Sequence, residues 1–207
     1  MRRFAFGALL GAGLLGLAGC TADFFGAPAR VKTHGYRARV TVRQDDRVTA
    51  EWEIAVRGAD RRLSPVEGSG PVLIVRGAER RAFRTDPQAK TATVVPWEIA
   101  EKELLPGYPL GAGFDDRAEA DRRGIRQYRR DGDEIFSGHA CALWRYEDRP
   151  GEDDSPTTTY WVAPDLDGLV VRVDRKTPRV EGGKSETVTQ LTNVRVGASA
   201  SLFAIPQ

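Results

Sequence analysis

Cysteine and histidine are both scarce in this chain, with two of each among 207 residues. This small number of cysteines excludes a domain held together by disulfides, and the fold therefore has to depend on its apolar core. Aromatic residues make up 8% of the chain, and apolar residues make up 41%. That composition is typical of a globular protein and is enough for one well-packed domain or two small ones.

A large excess of one charge sign is also absent. The chain has 31 basic and 29 acidic residues, a net charge of +2. Arg2 and Arg3 lie in residues 1–19, which contain no acid, so removing that segment lowers the basic count by two and leaves a neutral chain. A neutral surface has no field that steers it toward nucleic acid, and we expect no nucleic-acid partner.

The N-terminal segment has the features of a lipoprotein signal peptide. Arg2 and Arg3 precede an apolar stretch over Phe4–Leu17, and the small residues Ala18 and Gly19 precede Cys20. This order predicts cleavage after residue 19 and acylation of Cys20. The alternative is a retained transmembrane helix, but residues 4–19 would span only about 24 Å as a helix, short of the roughly 30 Å of a bilayer core.

An acylated Cys20 would anchor the chain to a membrane, since each buried methylene contributes about 0.8 kcal/mol. Residues 20–34 are then the acylated cysteine and a tether, and Cys141 is the remaining thiol. In the bacterial lipoproteins that this segment resembles, an Asp after the cysteine retains the protein at the inner membrane. Thr21 stands there instead, which predicts a lipid-anchored, periplasm-facing protein of the outer membrane.

Strand-like alternation dominates the rest of the chain. Apolar and polar residues alternate through 38–43 and again through 48–56, and short turns separate about ten such stretches. A helix is predicted over Trp97–Leu105 after Pro96, and a weaker one over Asp115–Arg123. We therefore predict a mainly β (α+β) fold: one domain over residues 35–207, an antiparallel sheet with one or two helices covering one face.

Turn and strand motifs make this pattern similar to the LolA/LolB-like superfamily of periplasmic proteins, and most of all to its uncharacterised members. Four parts of the chain carry the resemblance: Val75–Arg81 with Arg84–Pro87 and Lys90–Thr91, Gly138–Tyr146, Tyr160–Ala163 with Gly168–Arg172, and Leu202–Pro206. The resemblance implies a curled sheet, an incomplete β-barrel whose concave face is covered by the helices. It also implies a hydrophobic ligand or a lipidated partner bound on that face.

The residues predicted to line such a site are apolar and lie on the strands and the central helix: Trp52, Ile54, Trp97, Leu104, Trp144 and Trp161. The alternative is that these side chains simply fill the core. The protein would then be an interaction or scaffold lipoprotein of an envelope complex that carries no ligand.

No catalytic or metal site is expected from the sequence. His139 and Cys141 are spaced to share a strand face, but the sequence shows no third group to orient a nucleophile, so a buried thiol is favoured over a Cys/His pair. The acidic stretches at 131–134 and 165–168 look superficially like calcium loops but lack the closing Glu, so we expect them to be turns. We therefore predict a non-enzymatic protein without cofactor or metal.

A local group of basic residues has two interpretations: Arg122, Arg123, Arg126, Arg129 and Arg130. It is either a contact for anionic head groups or a solvated surface balanced by the acids just before it. The mixture of charge signs favours the solvated surface.

Overall fold

The computed structural model describes residues 31–67, 70–86, 88–103, 112–152, 154–179 and 181–206. The predicted signal peptide, Cys20 and Leu104 lie outside these residues. The first described residue, Val31, is 3% exposed and packs in the main core. The described fold thus includes four residues that lie before the predicted domain boundary at residue 35.

The described residues form three α-helices and eleven β-strands. The helices are α1 (Val31–His34), α2 (Trp97–Glu103) and α3 (Asp116–Arg123). The strands of the first half are β1 (Tyr36–Gln44), β2 (Arg47–Arg57), β3 (Asp60–Pro65), β4 (Val72–Arg76), β5 (Arg81–Asp86) and β6 (Thr91–Val95). Those of the second half are β7 (Tyr128–Phe136), β8 (His139–Glu147), β9 (Thr157–Ala163), β10 (Leu169–Pro178) and β11 (Lys184–Val196). Short 3₁₀ helices span Pro164–Leu166 and Ala200–Phe203.

All eleven strands belong to one antiparallel sheet with the order β6-β5-β4-β3-β2-β1-β11-β10-β9-β8-β7. Consecutive strands pair with each other except β6 and β7, and β1 pairs with β11 as well as with β2, which unites the two halves. The edges are β6 and β7, and the connection between them contains α2 and α3. The predicted antiparallel, mainly β fold with helices between its two halves is confirmed.

The main departures from the predicted elements are two strands. Strand β3 was not predicted, because its sequence begins with Asp60 and two arginines and only Leu63 is buried. The predicted turn at 131–134 is wrong, since these residues continue β7 past a bulge between Arg130 and Gly132. That strand is an exposed edge, so burial imposes no alternation from which it is recognised.

The helix predicted over Asp115–Arg123 is confirmed, and capping residues at both of its ends explain why it forms there. The Asp115 carboxylate accepts a hydrogen bond from the Ala118 amide at 2.9 Å, which caps the first turn. Gly124 ends the helix in the left-handed conformation, with φ of 67°. The other central helix begins after Pro96, also as predicted, and its described part ends at Glu103.

Helices α2 and α3 lie on one side of the sheet, which we call the helix face; the other side is the reverse face. Leu63, Leu73, Val75, Ala82 and Val95 meet Ala100 of α2 there, while Tyr146 and Tyr160 meet Ala120 of α3. On the reverse face the C-terminal Phe203 packs with Ala55, Val72, Ile74 and Ala198. The domain core is therefore divided between the two sides of one sheet.

Candidate functional site

The helix face carries a row of uncharged residues, four of them apolar or aromatic, that crosses five strands. Directly opposed residues share a face, so register alone places the row: Val42 on β1, Thr189 on β11, Val173 on β10, Tyr160 on β9 and Trp144 on β8. Four strand spacings separate its ends, about 19 Å. Val42, Thr189 and Trp144 are half-buried, and Val173 and Tyr160 are buried. We call this row the cross-strand floor.

Two predicted ligand-binding residues lie beside or on this floor. Trp52 is opposite Val40 on the helix face, one strand beyond Val42, and Trp144 ends the row. Both indoles are half-buried and pack against the same core cluster. The structure thus brings Trp52 and Trp144 to one face of the sheet.

Two other predicted residues belong to the same face but not to the floor. Ile54 is opposite Ala38 and is 2% exposed, so its side chain fills the core. Trp97 begins α2 and packs on the separate cluster around Leu73 and Val75, with the Arg80 guanidinium 5.8 Å from its ring centroid.

Trp161 lies on the reverse face. It is opposite Leu143, whereas its chain neighbour Tyr160 is opposite Trp144, so Trp144 and Trp161 point to opposite sides. The Trp161 ring nitrogen donates to a Glu134 oxygen at 3.0 Å, and the Arg172 guanidinium stacks 4.6 Å from its ring centroid. The four tryptophans therefore do not converge on one pocket.

Under α3 the helix face is filled by aromatic rings. Tyr146 lies edge-on to Tyr160, with centroids 5.5 Å apart, and stacks on Tyr128 at 5.3 Å. Phe114 packs on Tyr160 at 5.2 Å. The Tyr146 hydroxyl donates to the Asp116 carbonyl at 2.9 Å, which fastens the start of α3 to the sheet. Burial raises the pKa of Tyr146, so its phenol is protonated.

A charged network fastens the rest of α3. Tyr160 donates to Glu119, and Arg123 donates to Tyr160 at 3.3 Å and to Asp148 at 2.8 Å. Burial, followed by the bond to Glu119, raises the pKa of Tyr160 to about 12. The phenol is therefore a hydrogen-bond donor to the carboxylate at neutral pH.

The arginines at 122–130 are mostly paired. Arg122 binds Glu119 at 2.7 Å, and Arg123 binds Asp148. Arg129 lies 3.3 Å from Asp131, while Arg130 lies 2.5 Å from Asp133. The predicted balance with preceding acids applies at Glu119, but the other acids that pair with these arginines come later in the chain.

His139 and Cys141 do share a strand face, as predicted, but their reactive atoms are not paired with each other. The Cys141 thiol donates to the His139 backbone carbonyl at 3.4 Å, and the side chain is 1% exposed. Burial raises the pKa of this thiol to about 11. The His139 Nδ1 instead lies 2.6 Å from Asp165, the orienting carboxylate that sequence reasoning missed because it is 26 residues away.

A basic groove on the reverse face was also missed by sequence reasoning. It has a volume of about 240 Å³, and strands β11, β1, β2 and β3 line it with the C-terminal 3₁₀ helix. Four of its lining residues are arginines: Arg37, Arg39, Arg62 and Arg195. They come from three strands far apart in sequence, so no local motif signals the groove.

Among the described residues, no three or more His, Cys, Asp or Glu side chains form a group that would hold a metal ion. None of the helices in the described ranges is long and apolar enough to cross a bilayer.

The described residues form a large, open, antiparallel sheet of eleven strands with short helices on one face. Among solved structures, MucB is similar with a TM-score of 0.53 and 15% identity, over 86% of this chain and 59% of the MucB chain. This chain thus spans about three fifths of MucB. At this identity the likeness shows the fold alone.

Two further solved structures are more distant matches. The Mycobacterium tuberculosis lipoprotein LppX has a TM-score of 0.41 and 13% identity, covering 79% of this chain and 88% of its own. A LolA superfamily protein from Nitrosomonas europaea has a TM-score of 0.33 and 9% identity, covering 84% and 90%. No sequence-family profile and no curated protein sequence matches the chain.

Proposed function

We propose that this protein is a lipid-anchored, non-enzymatic binding protein of the cell envelope that holds an acyl chain against the helix face. The cross-strand floor is the observation that carries the proposal. It presents Val42, Val173 and Trp144 in one line across the strands, with no charged side chain between them. Each methylene buried on such a surface contributes about 0.8 kcal/mol, so a long chain binds far better than a short one.

Palmitate is a suitable probe for this site. The test uses the chain from residue 20 with Cys20→Ser, which removes the anchor and keeps every described element. Palmitate is titrated by calorimetry, and native mass spectrometry counts the bound molecules. We expect one molecule per chain, with octanoate binding at least tenfold more weakly because it buries fewer methylenes.

A pair of charge substitutions locates the ligand. Val42→Glu places a carboxylate on the floor and is expected to weaken palmitate binding by more than tenfold, because a buried charge next to an acyl chain is unfavourable. Val188→Glu is the control, since Val188 is also half-buried but lies on the reverse face. Equal losses in both variants, or no bound palmitate in the parent, would refute the proposal.

The anchor has its own test. Cells grown with labelled palmitate should acylate the full chain, and Cys20→Ser should abolish the label while Cys141→Ser retains it. We further propose an outer-membrane, periplasm-facing location from Thr21. In the bacterial lipoproteins that the N-terminal segment resembles, Asp at that position directs inner-membrane retention, so Thr21→Asp should shift the protein to the inner-membrane fraction. A label retained in Cys20→Ser would contradict the predicted acylation of Cys20.

A filled-core scaffold protein is the second candidate, favoured by the aromatic cluster. Phe114, Tyr128, Tyr146 and Tyr160 already occupy the space beneath α3. In that case the protein should be empty of palmitate and should yield one reproducible envelope protein on crosslinking in cells. The palmitate titration therefore separates the two candidates.

A further inference from the structure

We propose that the basic groove on the reverse face binds the phosphate groups of anionic phospholipids in the membrane to which the chain is tethered. The groove is separate from the acyl-chain floor because it lies on the other side of the sheet. Its residues are Arg37 and Arg39 on β1, Arg62 on β3 and Arg195 on β11, with Glu53, Ser64 and Asn193 between them.

The first observation is that the groove arginines lack partners. None of the four forms an ion pair with a described residue, although other arginines of the same face do: Arg172, for example, makes two bonds to Asp174 at 2.7 and 2.8 Å. The groove holds four guanidinium groups and one carboxylate, Glu53, for a net charge of +3. Arg43, Arg47, Arg126 and Arg175 also form no ion pair with a described residue, so what distinguishes the groove is that four such arginines are grouped there around one carboxylate, available to an external anion.

The second observation is that register forces like charges together. Arg195 is directly opposite Arg37, and the row continues to Ala55 and Arg62. Like charges directly opposite each other destabilise a sheet unless an anion lies between them. Ala55 at the centre of the row is 5% exposed and packs with Phe203, so it supplies no counter-charge to the arginines on either side.

The chemistry of the lining favours phosphate. A guanidinium donates two parallel hydrogen bonds to a phosphate or carboxylate, and several guanidinium groups together match a group with several oxygens. Ser64 and Asn193 supply neutral donors and acceptors for the hydroxyl or ester oxygens of a head group. Leu202 adds one apolar wall.

Position then favours a membrane over a soluble anion. Arg37 and Arg195 each lie two residues from a contact between the two ends of the domain, where the Gly197 amide donates to the Gly35 carbonyl at 2.9 Å. The groove is therefore near the point where the chain enters the fold. Cys20 lies eleven positions before Val31, and eleven residues span at most about 40 Å, so an anchor at Cys20 would keep the start of the fold within that distance of the head groups.

The location argument rests on the proposed anchor at Cys20, but the binding test does not. The chain from residue 20 with Cys20→Ser is mixed with phosphatidylcholine vesicles that contain phosphatidylglycerol, and bound protein is measured by co-sedimentation. We expect binding to these vesicles and none to pure phosphatidylcholine, and an excess of free glycerol phosphate should compete only weakly.

The groove is tested by the triple variant Arg37→Gln, Arg39→Gln and Arg195→Gln. Each arginine near an anionic surface is worth about a fivefold change in partition, so the variant should lose on the order of a hundredfold. The control variant removes three exposed arginines elsewhere: Arg47→Gln, Arg126→Gln and Arg175→Gln. Arg47, at the far end of β1 and β2, is about 23 Å along the strand from Arg37.

The control variant should lose less than tenfold. The proposal is overturned if both triple variants lose binding equally, if the groove variant binds like the parent, or if the parent prefers polyglutamate to the vesicles. If the triple variant does not fold, Arg195→Gln alone should lose about fivefold. The groove variant should keep full palmitate affinity. If the parent binds the vesicles but does not bind palmitate, only the acyl-chain proposal is refuted.

Discussion

The Tyr160 hydroxyl donates a hydrogen bond to the Glu119 carboxylate at 2.5 Å, joining strand β9 to helix α3. The Glu119 side chain is only 10% exposed, and Arg122 also binds it. This bond thus lies where a helix of eight residues is held on a sheet, and it is one of the bonds that hold α3 over the aromatic cluster.

Replacing Tyr160 with Phe should therefore destabilise the fold. The change removes the donor to Glu119 and the acceptor for Arg123, and we expect the free energy of unfolding to fall by about 1–3 kcal/mol in urea denaturation. Tyr36→Phe is the control, because the buried Tyr36 hydroxyl makes no hydrogen bond to a described residue. That variant should be neutral or slightly stabilised, and an equal loss in both would disprove the role of the Tyr160 bond.

The same carboxylate should make stability depend on pH in acid. Burial raises the pKa of Glu119, but hydrogen bonds from Arg122 and Tyr160 outweigh burial and hold the pKa below its usual value. A carboxyl group with a lowered native pKa stabilises the fold above its unfolded pKa of about 4.3, and this stabilisation is lost as the pH falls through the native pKa.

Glu119→Gln should accordingly flatten the loss of stability below about pH 4 in a series of urea titrations. The exposed Glu98 of α2 provides the comparison, and Glu98→Gln should follow the parent curve. A parent-like acid slope in Glu119→Gln would show that other carboxyl groups carry the effect.

Alanine substitutions at Gly35 and Gly58 should distinguish the cost of a left-handed backbone from the cost of a steric contact. Gly35 and Gly58 both have positive φ, 70° and 57°. A Cβ on Gly35 would lie 2.0 Å from the Val56 carbonyl oxygen, whereas one on Gly58 would meet no described atom within 4 Å. Gly58→Ala should cost about 1–2 kcal/mol of stability for the left-handed conformation alone.

Gly35→Ala should cost at least about 3 kcal/mol, because the backbone of β2 has to move as well. Thermal and urea unfolding of the two variants measure the difference. Equal costs would show that β2 adjusts freely at Val56 and that the contact contributes nothing.

The buried thiol should be unreactive in the native state. The pKa of Cys141 is raised to about 11 by burial, against about 8.5 for an unfolded cysteine, so its thiolate fraction at pH 8 falls on the order of a hundredfold. In the Cys20→Ser chain, iodoacetamide should label Cys141 at least that much more slowly in buffer than in urea. Rapid native labelling followed by mass spectrometry would contradict the buried placement and reopen the Cys/His hypothesis.

Local sequence predicted the elements whose signals are local. Asp115 and Gly124 mark the ends of α3 by capping, and Pro96 marks the start of α2. Alternation identified strands that have one buried face, such as β1. It failed for β3, which begins with Asp60 and two arginines, and it divided β7 into two predicted strands, Ile125–Arg130 and Glu134–Ser137, because the exposed middle of β7 shows no alternating pattern.

Which side chains share a face of the sheet was decided by the tertiary structure. The tryptophans were predicted to line one site, yet pairing of Trp144 with Tyr160 puts Trp161 on the reverse face. A shift of one residue in register would exchange the two faces, and a single sequence does not specify that shift.

By itself, the sequence determined the fold class, the neutral charge after residue 19 and most of the order of strands and helices, and it predicts the acylation site, because each depends on composition or on residues close together in the chain. Only the tertiary structure decided that Arg37, Arg62 and Arg195 share a groove and that Val42 and Trp144 share a floor. Both arrangements join residues more than twenty positions apart, and strand register is the physical link that brings them together.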